Sequence, residues 1–456
     1  MNIKRVFVAN RGEIAVRIIR SCRALNIETV LGVSDADRNS LGAQLADRVI
    51  CIGPPPSSGS YLNMRAIVAA ALAAKADAVH PGYGFLAENA EFAAMCAENG
   101  LIFIGPSPDN IRQMGNKLEA RSLAAQFGVP VAEGAPRIRT YAEALEAAER
   151  IGYPVLLKAA AGGGGRGIRI VRDGKDMQSA FESASAEAQA AFGDNTLFME
   201  RYIEKARHIE VQVLADTHGS VVHLGERDCS LQRRYQKVIE EAPAFGLSDD
   251  LREKIRQSAV TLAKNIGYRS AGTAEFIVDV ERGTFYFLEM NTRIQVEHPV
   301  TEEITGRDIV RDQIRIAAGE PLGFTQEDVS FKGWAIECRI NAESSVHNFR
   351  PSPGTITKWE PPAGPGIRLD THSFEGYTVP PYYDSLLGKL IVHAESREAA
   401  IDGMLKALER FRCEGIETTV PFLKFVLNHP DYQNGLVTTR WLEQTAGQFM
   451  AQAQSS

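Results

Sequence analysis

The feature that most constrains the fold is a regular alternation of short apolar runs and helical patterns over the first 115 residues. The segments "RVFVAN", "ETVLGVS", "AVHPGYG" and "LIFIGP" have the composition of buried strands, and "EIAVRIIRSCRAL" carries apolar residues at helical spacing between the first two. Strands separated by helices pair in parallel, because the helix carries the chain back across the sheet. The sequence therefore predicts a doubly wound parallel sheet in this part of the chain.

Such a sheet often binds a dinucleotide, but the first turn lacks the glycines that this function requires. The turn reads "ANRGEIA" instead of GxGxxG, although Asp35 and Asp37 follow the second strand, where a ribose would be held. We therefore expect an α/β domain over residues 1–115 that lacks the nicotinamide fingerprint.

The pattern changes after this domain, and 456 residues are too many for one hydrophobic core. The segment "SPDNIRQMGNKLEARSLAAQFG" predicts one helix, and the Pro- and Gly-containing "VPVAEGAPRIRT" suits a boundary. Strands dominate from about residue 205, and a helix is predicted at 397–412. We expect a second, α+β domain over 116–330 that includes a small α+β module of about 136–204, and a mixed α/β domain over 331–446.

Composition excludes several classes of protein. The formal charge of -7 disfavours a protein that holds nucleic acid by bulk electrostatics. The six cysteines are scattered without a CxxC pair, which is typical of reduced thiols. We find no signal peptide and no apolar stretch of about 18 residues that could span a membrane. The sequence predicts a cytoplasmic protein that binds neither nucleic acid nor membranes.

A run of four glycines lies in "AAAGGGGRGIRIV", at residues 159–171. It is flanked by the predicted strands "YPVLLKAA" and "GIRIVRD", whereas a P-loop or a dinucleotide loop leads into a helix. The run is therefore a hairpin tip. It is either a plain flexible turn or, with Lys158 upstream and Arg166 within it, a loop that closes over phosphates with its backbone amides.

A second hairpin places two carboxylates opposite each other. The segment "AEFIVDVERGTFYFLEMN" contains two alternating strands around "ERG". If the loop is 281–283, Val280 pairs with Thr284, and the same register brings Glu275 opposite Glu289. Like charges directly across a strand pair are destabilising unless a cation lies between them.

The side chains that accompany this pair indicate the cation. Period-two alternation predicts that Ile277 and Phe287 share one face with Glu275 and Glu289, and that Asn291 lies next to Glu289. Oxygen ligands of this kind suit Mg²⁺. The alternative is a solvated face on which two glutamates meet by chance.

Two further segments concentrate charge. In "NTRIQVEHPV", an extended chain would direct Arg293, Gln295 and Glu297 to one side, where a cation could hold a small anion while the carboxylate takes its proton. An ion pair on a loop is the plainer interpretation. The segment "RDCSLQRRYQKV" is either a solvated basic face or part of a site, and its polar side chains are Arg227, Gln232, Arg233, Arg234 and Lys237.

Several long motifs occur together. They include "ANRGEIAVRIIR" at 9–20, "HPGYGFLAENAEFA" at 80–93, "MGNK" at 114–117, "LLKAAAGGGGRGIR" at 156–169, "RHIEVQVLAD" at 207–216, "ERDCSLQRRYQKVIEEAPA" at 226–244, "EMNTRIQVEHPVTE" at 289–302, "ECRINAE" at 337–343 and "PPYYDS" at 380–385. Together they resemble the biotin carboxylase branch of the ATP-grasp superfamily over nearly the whole chain. Another ATP-grasp ligase would lack "TRIQVEHP" and "ECRINAE" together.

This resemblance implies a pre-ATP-grasp N-terminal domain, an ATP-grasp domain in which the module of about 136–204 is a mobile lid, and a C-terminal biotin carboxylase domain. It implies an ATP-dependent ligase that makes carboxyphosphate from ATP and bicarbonate and carboxylates biotin at N1′. ATP would be bound by Lys117, Lys158, Gly164, Gly165, Glu200, Arg201, Ile203, His208, Gln232 and Tyr235.

The resemblance also assigns the reacting groups. Glu297 would be the general base, and Arg339 would bind biotin and stabilise its enolate. Bicarbonate would be held by Lys237, Arg293, Gln295 and the Val296 backbone, and Lys237 and Arg293 would also act in catalysis. The ligands of Mg²⁺ or Mn²⁺ would be Glu275, Glu289 and Asn291.

Three positions differ from the family pattern. Tyr235 stands where a histidine is common, Ile168 stands where methionine is frequent, and the run that starts at Gly162 is one glycine shorter than in some relatives. The resemblance further implies a homodimer. No "AMKM"-like biotinylation site and no carboxyltransferase region occur, so we expect a biotin carboxyl carrier protein and a carboxyltransferase on separate chains, as in acetyl-CoA carboxylase. Pyruvate and other acyl-CoA carboxylases are alternatives.

Overall fold

The computed structural model describes residues 3–159 and 168–455. The first part contains a five-stranded parallel sheet of β1 (Arg5–Val8), β2 (Glu28–Ser34), β3 (Arg48–Gly53), β4 (Ala78–His80) and β5 (Ile102–Phe103). The strand order is β3-β2-β1-β4-β5, so the chain starts in the middle and winds outward in both directions. The connecting helices are α1 (Gly12–Ala24), α2 (Leu41–Leu45), α3 (Met64–Ala73), α4 (Ala90–Glu98) and α5 (Pro108–Gly115). The predicted doubly wound sheet is confirmed.

Other side chains of the protein bind the acidic residue Asp37 after β2. Asp37 is buried and accepts hydrogen bonds from the Arg11 guanidinium at 2.8 and 3.0 Å and from the Tyr61 hydroxyl at 2.6 Å. The position where a dinucleotide fold would hold a ribose is thus filled by an internal ion pair.

The single helix predicted across residues 107–128 is wrong, because the structure divides it at Asn116. Helix α5 ends at Gly115, and α6 (Lys117–Gln126) begins one residue later. The Asn116 side chain accepts hydrogen bonds from the amides of Leu118 and Glu119, which caps the new helix. This break places Lys117 at the first position of α6.

Residues 134–201 form a small sheet with two helices. In chain order the elements are β6 (Gly134–Ile138), α7 (Tyr141–Ile151), β7 (Val155–Ala159), β8 (Arg169–Val171), α8 (Met177–Phe192) and β9 (Leu197–Arg201). The strand order is β6-β9-β7-β8, and β7 pairs antiparallel with β8, Leu156 opposite Ile170. The predicted order of strand, glycine run and strand is confirmed. The run itself, with Gly164, Gly165 and Arg166, lies outside the described residues.

The remaining strands are centred on one large antiparallel sheet. They are β10 (Ala206–Ala215), β11 (Val221–Arg233), β12 (Gln236–Ala242), β13 (Ser270–Asp279), β14 (Thr284–Asn291), β15 (Trp334–Asn341), β16 (Glu343–Ser344), β17 (Arg350–Pro351), β18 (Gly354–Thr355), β19 (Lys358–Glu360), β20 (Ile367–Thr371), β21 (Thr378–Val379), β22 (Leu386–Ala394) and β23 (Arg412–Glu414). Eight of them form the sheet β14-β13-β10-β11-β12-β15-β22-β20. Because β12 pairs with β15, the sheet is continuous across residue 330.

Both faces of this sheet are buried near its centre. Along β10, Ile209, Val211 and Val213 pack into the core that contains helix α9 (Asp249–Asn265), whereas the alternate residues His208 and Glu210 are polar and also buried. The later helices are α9 (Asp249–Asn265), α10 (His298–Thr305), α11 (Ile309–Ala317), α12 (Arg397–Arg410), α13 (Val420–Asn428), α14 (Pro430–Gln433) and α15 (Trp441–Ser455). Among the described residues, no helix combines the length and the apolar composition that a membrane crossing requires.

The β13–β14 hairpin confirms the opposed carboxylates but not the register used to predict them. Glu275 lies opposite Glu289, whereas Asp279, not Val280, pairs with Thr284. The turn is one residue longer than predicted, and a bulge between Glu275 and its neighbour restores the expected pairing.

The same bulge changes the position of Phe287. It pairs with Phe276, and the two rings pack edge to face at 6.0 Å within the core, so Phe287 does not pair with Ile277 as expected. Ile277 pairs with Tyr286, and both line the cavity described below.

Candidate active site

A cavity of about 930 Å³ lies over the polar face of the large sheet. All predicted site residues within the described part of the chain line it. They are Lys117, Lys158, Glu200, Arg201, Ile203, His208, Gln232, Tyr235, Lys237, Glu275, Glu289, Asn291, Arg293, Gln295, Val296, Glu297 and Arg339. The structure therefore brings together side chains that are more than 200 positions apart in sequence.

The opposed carboxylates are surrounded by hydrogen-bond donors and cations. Glu275 is buried and accepts a hydrogen bond from the Asn291 amide at 2.8 Å, and the His208 Nε2 atom lies 2.9 Å from its other oxygen. Glu289 is half-buried and lies 3.2 Å from the Lys117 ammonium. The repulsion expected between the two glutamates is thus offset by the groups around them.

The residues present fit a hard divalent cation. Glu275, Glu289 and Asn291 offer carboxylate and amide oxygens, which are the donors that Mg²⁺ and Mn²⁺ prefer. Burial would raise the pKa of Glu275, but Lys237 and His208 outweigh burial and hold that pKa well below its usual value. Glu275 is therefore an anion at neutral pH, as a metal ligand must be.

Lys237 connects this pair to the rest of the site. Its ammonium lies 2.5 Å from Glu210, 2.5 Å from Glu297 and 3.1 Å from Glu275. Burial alone would lower the pKa of Lys237, but the three carboxylates raise it well above its ordinary value. Lys237 is therefore a permanent cation among three anions, and a substrate anion can compete with any of them.

Glu297 is held between two cations. One oxygen faces Lys237, and the other accepts a hydrogen bond from Arg339 at 2.9 Å. The Arg339 guanidinium also donates to Glu240 at 2.6 Å. Burial would raise the pKa of Glu297, but Lys237, Arg339 and Arg227 hold that pKa far below its usual range. Glu297 is thus ionised, and it becomes a stronger base when its cations turn toward other anions.

Arg227 holds side chains that line the cavity, such as Gln295. It is completely buried and donates hydrogen bonds to Glu210, Gln212, Gln295, Thr273 and Thr301. The interpretation of its segment as a solvated basic face is therefore wrong for this arginine.

Sequence reasoning missed Glu210, although a signal for it existed. The segment "HIEVQVLAD" alternates apolar and polar side chains, and the structure buries both sets. A strand whose polar face is buried is unlike an ordinary amphipathic strand with one solvated face. That contrast cannot be recognised until the elements that cover the polar face are known.

The segment that contains Arg293, Gln295 and Glu297 is irregular, so the condition of an extended chain is not met, yet all three side chains line the cavity. Arg293 pairs with Glu88 of the N-terminal part at 2.9 Å. Gln295 donates to Glu275 at 2.7 Å and accepts from Arg227 at 2.8 Å. Glu88 was not predicted to be a site residue, although it lies within the motif "HPGYGFLAENAEFA" at 80–93.

Lys158 and Glu200 form another part of the cavity lining. Lys158 and Arg121 both pair with Glu200, which is buried. Burial would raise the pKa of Glu200, but Lys158 and Arg121 lower it below its usual value. Two further lining residues contact each other, the Gln232 amide and the His208 ring, at 2.8 Å.

Tyr235 lies at the turn between β11 and β12. It is 60% exposed, and both Arg234 and Tyr235 have positive φ, as expected for a two-residue turn of type I′. The ring lines the cavity.

Three family profiles match successive parts of the chain. The profile described as "Biotin carboxylase, N-terminal domain" matches residues 2–111, "Carbamoyl-phosphate synthase L chain, ATP binding domain" matches 116–325, and "Biotin carboxylase C-terminal domain" matches 337–444. The chain is 51% identical over 442 residues to biotin carboxylase 1 of Bacillus subtilis, covering 97% of this chain and 98% of that protein. It is 52% identical over 445 residues to biotin carboxylase of Nostoc, covering 97% and 99%.

Solved structures with the same fold are similarly close. A biotin carboxylase–β-γ-ATP complex from Campylobacter jejuni has a TM-score of 0.94 and 48% identity, over 97% of this chain and 99% of that chain. A biotin carboxylase domain dimer of the 2-oxoglutarate carboxylase of Hydrogenobacter thermophilus, with MgADP, ADP and bicarbonate, has a TM-score of 0.93 and 50% identity, over 98% and 99%. The biotin carboxylase subunit of a pyruvate carboxylase has a TM-score of 0.86 and 50% identity, over 98% and 99%.

Proposed function

The chain belongs to the biotin carboxylase family of ATP-dependent ligases, and on that premise we propose that it carries out the first half-reaction of acetyl-CoA carboxylase. In this reaction biotin on a carrier protein is carboxylated at the expense of ATP and bicarbonate. The carboxyl group then passes to acetyl-CoA, which yields malonyl-CoA for fatty acid synthesis. The carrier and the carboxyltransferase are separate chains in this proposal, supported by relatives that this chain covers almost completely.

The observation that carries the proposal is the position of Glu297 between Lys237 and Arg339, beside the Glu275–Glu289 pair. Bicarbonate would be held by Lys237, Arg293, Gln295 and the Val296 backbone, and it would draw Lys237 away from Glu297. Glu297 would then take the bicarbonate proton, and the freed oxygen would attack the γ-phosphorus of ATP as the bond to ADP breaks.

The second step would take place at Arg339. Carboxyphosphate would break down to CO₂ and inorganic phosphate, and the released phosphate would take the proton from N1′ of biotin. The N1′ atom would then capture the CO₂, while the Arg339 guanidinium compensates the negative charge of the biotin enolate. Arg339 is paired with Glu240 and Glu297, so the enolate would replace a carboxylate as its partner.

The nucleotide would occupy the other side of the cavity. Lys117 and Lys158 would bind its phosphates together with Gly164 and Gly165, and its base would lie near Glu200, Arg201, Ile203, His208, Gln232 and Tyr235. Mg²⁺ or Mn²⁺, bound by Glu275, Glu289 and Asn291, would neutralise phosphate charge.

Two of the similar solved structures support a second candidate for the final acceptor. Structures from 2-oxoglutarate carboxylase and pyruvate carboxylase match this chain at 50% identity, as closely as the stand-alone relatives do. The chain could thus serve a two-subunit carboxylase for pyruvate or for another acyl-CoA. The dimer described for the Hydrogenobacter domain supports a homodimer here.

Two expectations from the sequence belong to the same proposal. The domain bounds 1–115, 116–330 and 331–446 are supported by the ranges of the three family profiles. A cytoplasmic location is supported by the six cysteines, all of which have free thiols.

The test is the release of ADP by the purified protein with ATP, bicarbonate, Mg²⁺ and free biotin. We expect release that requires both bicarbonate and biotin, and a rate independent of biotin would refute biotin carboxylation. Affinity capture of the tagged chain, followed by detection of the biotinylated chain and its transferase, then distinguishes the acceptors. Capture of a pyruvate-specific transferase would exclude acetyl-CoA carboxylase.

A further inference from the structure

A lysine outside the predicted site is completely buried next to it. Lys389 lies on β22, and its side chain has no exposed surface. Its ammonium donates to the backbone carbonyl of Val296 at 2.8 Å and lies 3.1 Å from the Glu13 carboxylate. Removing an ammonium from water is costly, so a buried lysine needs partners that compensate for lost hydration. Here one of those partners is a backbone carbonyl in the segment that is proposed to bind bicarbonate.

The segment that Lys389 contacts is irregular, so sheet pairing does not fix its peptides. Side chains contact two of its carbonyls. The His298 ring contacts the carbonyl of Gln295 at 2.7 Å, and Lys389 holds the next carbonyl, that of Val296. The peptide held by Lys389 connects Val296 to Glu297, so its orientation sets the direction in which the Glu297 side chain leaves the backbone.

Lys389 is itself held in place from two directions. On the sheet it lies directly opposite Arg339, which pairs with Glu297. From the N-terminal part, Glu13 of α1 pairs with Lys389 and also accepts a hydrogen bond from the Tyr83 hydroxyl. Tyr83 lines the cavity. A continuous chain of contacts therefore runs from helix α1 to the peptide that precedes Glu297.

We propose that Lys389 is a positioning residue that fixes the Val296–Glu297 peptide and so aims the Glu297 carboxylate and the Val296 backbone at bicarbonate. This inference rests on the proposed function, because the bicarbonate assignment of these residues belongs to it. Lys389 touches no reacting atom in this proposal. It acts through the peptide that it holds. Glu13 keeps the ammonium in place through a side-chain oxygen, which the amide of Glu13→Gln would still supply.

The purely structural alternative is that Lys389 only neutralises Glu13. The two roles can be separated because two further carboxylates near Lys389 do not need it as a counter-ion. Asp370 is paired with Arg368 at 2.8 Å, and burial raises the pKa of Glu337 well above its usual value, which favours the neutral form of Glu337. Replacing Lys389 by methionine therefore leaves Glu13 as the uncompensated group. A second change, Glu13→Gln, removes that charge without restoring the hydrogen bond to Val296.

The experiment compares the unchanged chain with Lys389→Met, Glu13→Gln, the double variant and Lys406→Met. Lys406 is an exposed lysine paired with Asp402 and serves as the matched control. For each protein, kcat and KM for bicarbonate, the Kd for ATP and Tm are measured. Bicarbonate-dependent ADP release by the unchanged chain is established first, so its absence would refute the proposed function and not this inference alone.

We expect Lys389→Met to lower kcat/KM for bicarbonate about tenfold or more, with the Kd for ATP within about threefold of the unchanged value. The double variant should regain Tm but not kcat/KM, and Glu13→Gln and Lys406→Met should keep kcat/KM within about threefold. Recovery of kcat/KM in the double variant would overturn the proposal. So would an equal loss in Glu13→Gln, or failure of the double variant to fold, since each would make Lys389 a purely structural residue.

Discussion

The Lys237 ammonium and the Glu297 carboxylate lie 2.5 Å apart in a part of the cavity where both side chains are almost fully buried. A general base paired with a cation is weak, because the cation stabilises its ionised form. Bicarbonate that draws Lys237 toward itself would therefore strengthen the base that deprotonates it. Binding and activation would then be one event.

Replacing Glu297 by glutamine should remove the base while keeping the shape of the site. We expect ATP binding to be retained and kcat for biotin-dependent ADP release to fall by about 10²-fold or more. ATP titration and steady-state kinetics measure the two effects. The exposed Glu320 offers a control, since Glu320→Gln should leave both unchanged. Full activity of Glu297→Gln would exclude this residue as the base.

Replacing Lys237 by methionine should destabilise the protein as well as abolish bicarbonate use. Three buried carboxylates would lose their shared cation, and breaking a buried ion pair on one side costs about 3–5 kcal/mol. Urea unfolding measures this change. Lys254→Met, which breaks an exposed pair with Asp250, should change the unfolding free energy by less than about 1 kcal/mol. Equal effects of the two substitutions would contradict the role of Lys237.

Replacing Glu289 by glutamine should weaken metal binding. We expect the Mn²⁺ concentration that gives half-maximal activity to rise about tenfold or more, and Mn²⁺ titration followed by electron paramagnetic resonance should show the same shift. Glu281 lies in the turn of the same hairpin and pairs with Lys205 at the surface, so Glu281→Gln is the matched control. An unchanged Mn²⁺ requirement in Glu289→Gln would remove this residue from the ligand set.

The stability of the fold should fall as pH rises through neutrality because of Glu240. Burial raises the pKa of Glu240 to about 7, against the partial compensation of Arg339, and Glu297 nearby adds to the increase. The folded state then binds a proton more tightly than the unfolded chain, so the stabilisation is complete below about pH 4.5 and is lost as pH rises through about 7. Glu337, directly opposite on β15, has a raised pKa and acts in the same direction.

Urea unfolding at pH 5, 6, 7 and 8 tests this expectation. Glu240→Gln should flatten the dependence of the unfolding free energy on pH. Glu360→Gln, at an exposed position, should preserve it. If Glu240→Gln kept the full slope, the proton would have to reside on another group.

Local patterns were sufficient to predict parts of this structure and insufficient for others. The parallel sheet follows from strand and helix periods, which are short-range properties. The opposition of Glu275 and Glu289 was predicted for a partly wrong reason. The longer turn of the hairpin and the bulge next to Glu275 compensate each other in the register, and alternation alone predicts neither of them.

The missed residues share a different cause. The roles of Glu210 and Lys389 depend on contacts with residues far away in sequence, such as Arg227 and Val296. A polar residue on an alternating strand predicts a solvated face until the covering segments are placed. Tertiary contacts, which no local window contains, decide which of the polar faces becomes a site.

The unbroken sheet from β14 to β20 has a consequence for how such enzymes can be recombined. The strand that carries Lys237 is hydrogen-bonded directly to the strand that carries Arg339, with about 5 Å between their axes. If Lys237 binds bicarbonate and Arg339 binds biotin as proposed, the distance between the two binding groups is set by backbone geometry and not by a hinge. A chimera divided at residue 330 would cut through this ladder, so the smallest exchangeable unit is the whole sheet. Chimeras made with segments of relatives should therefore function only when β12 and β15 come from the same parent.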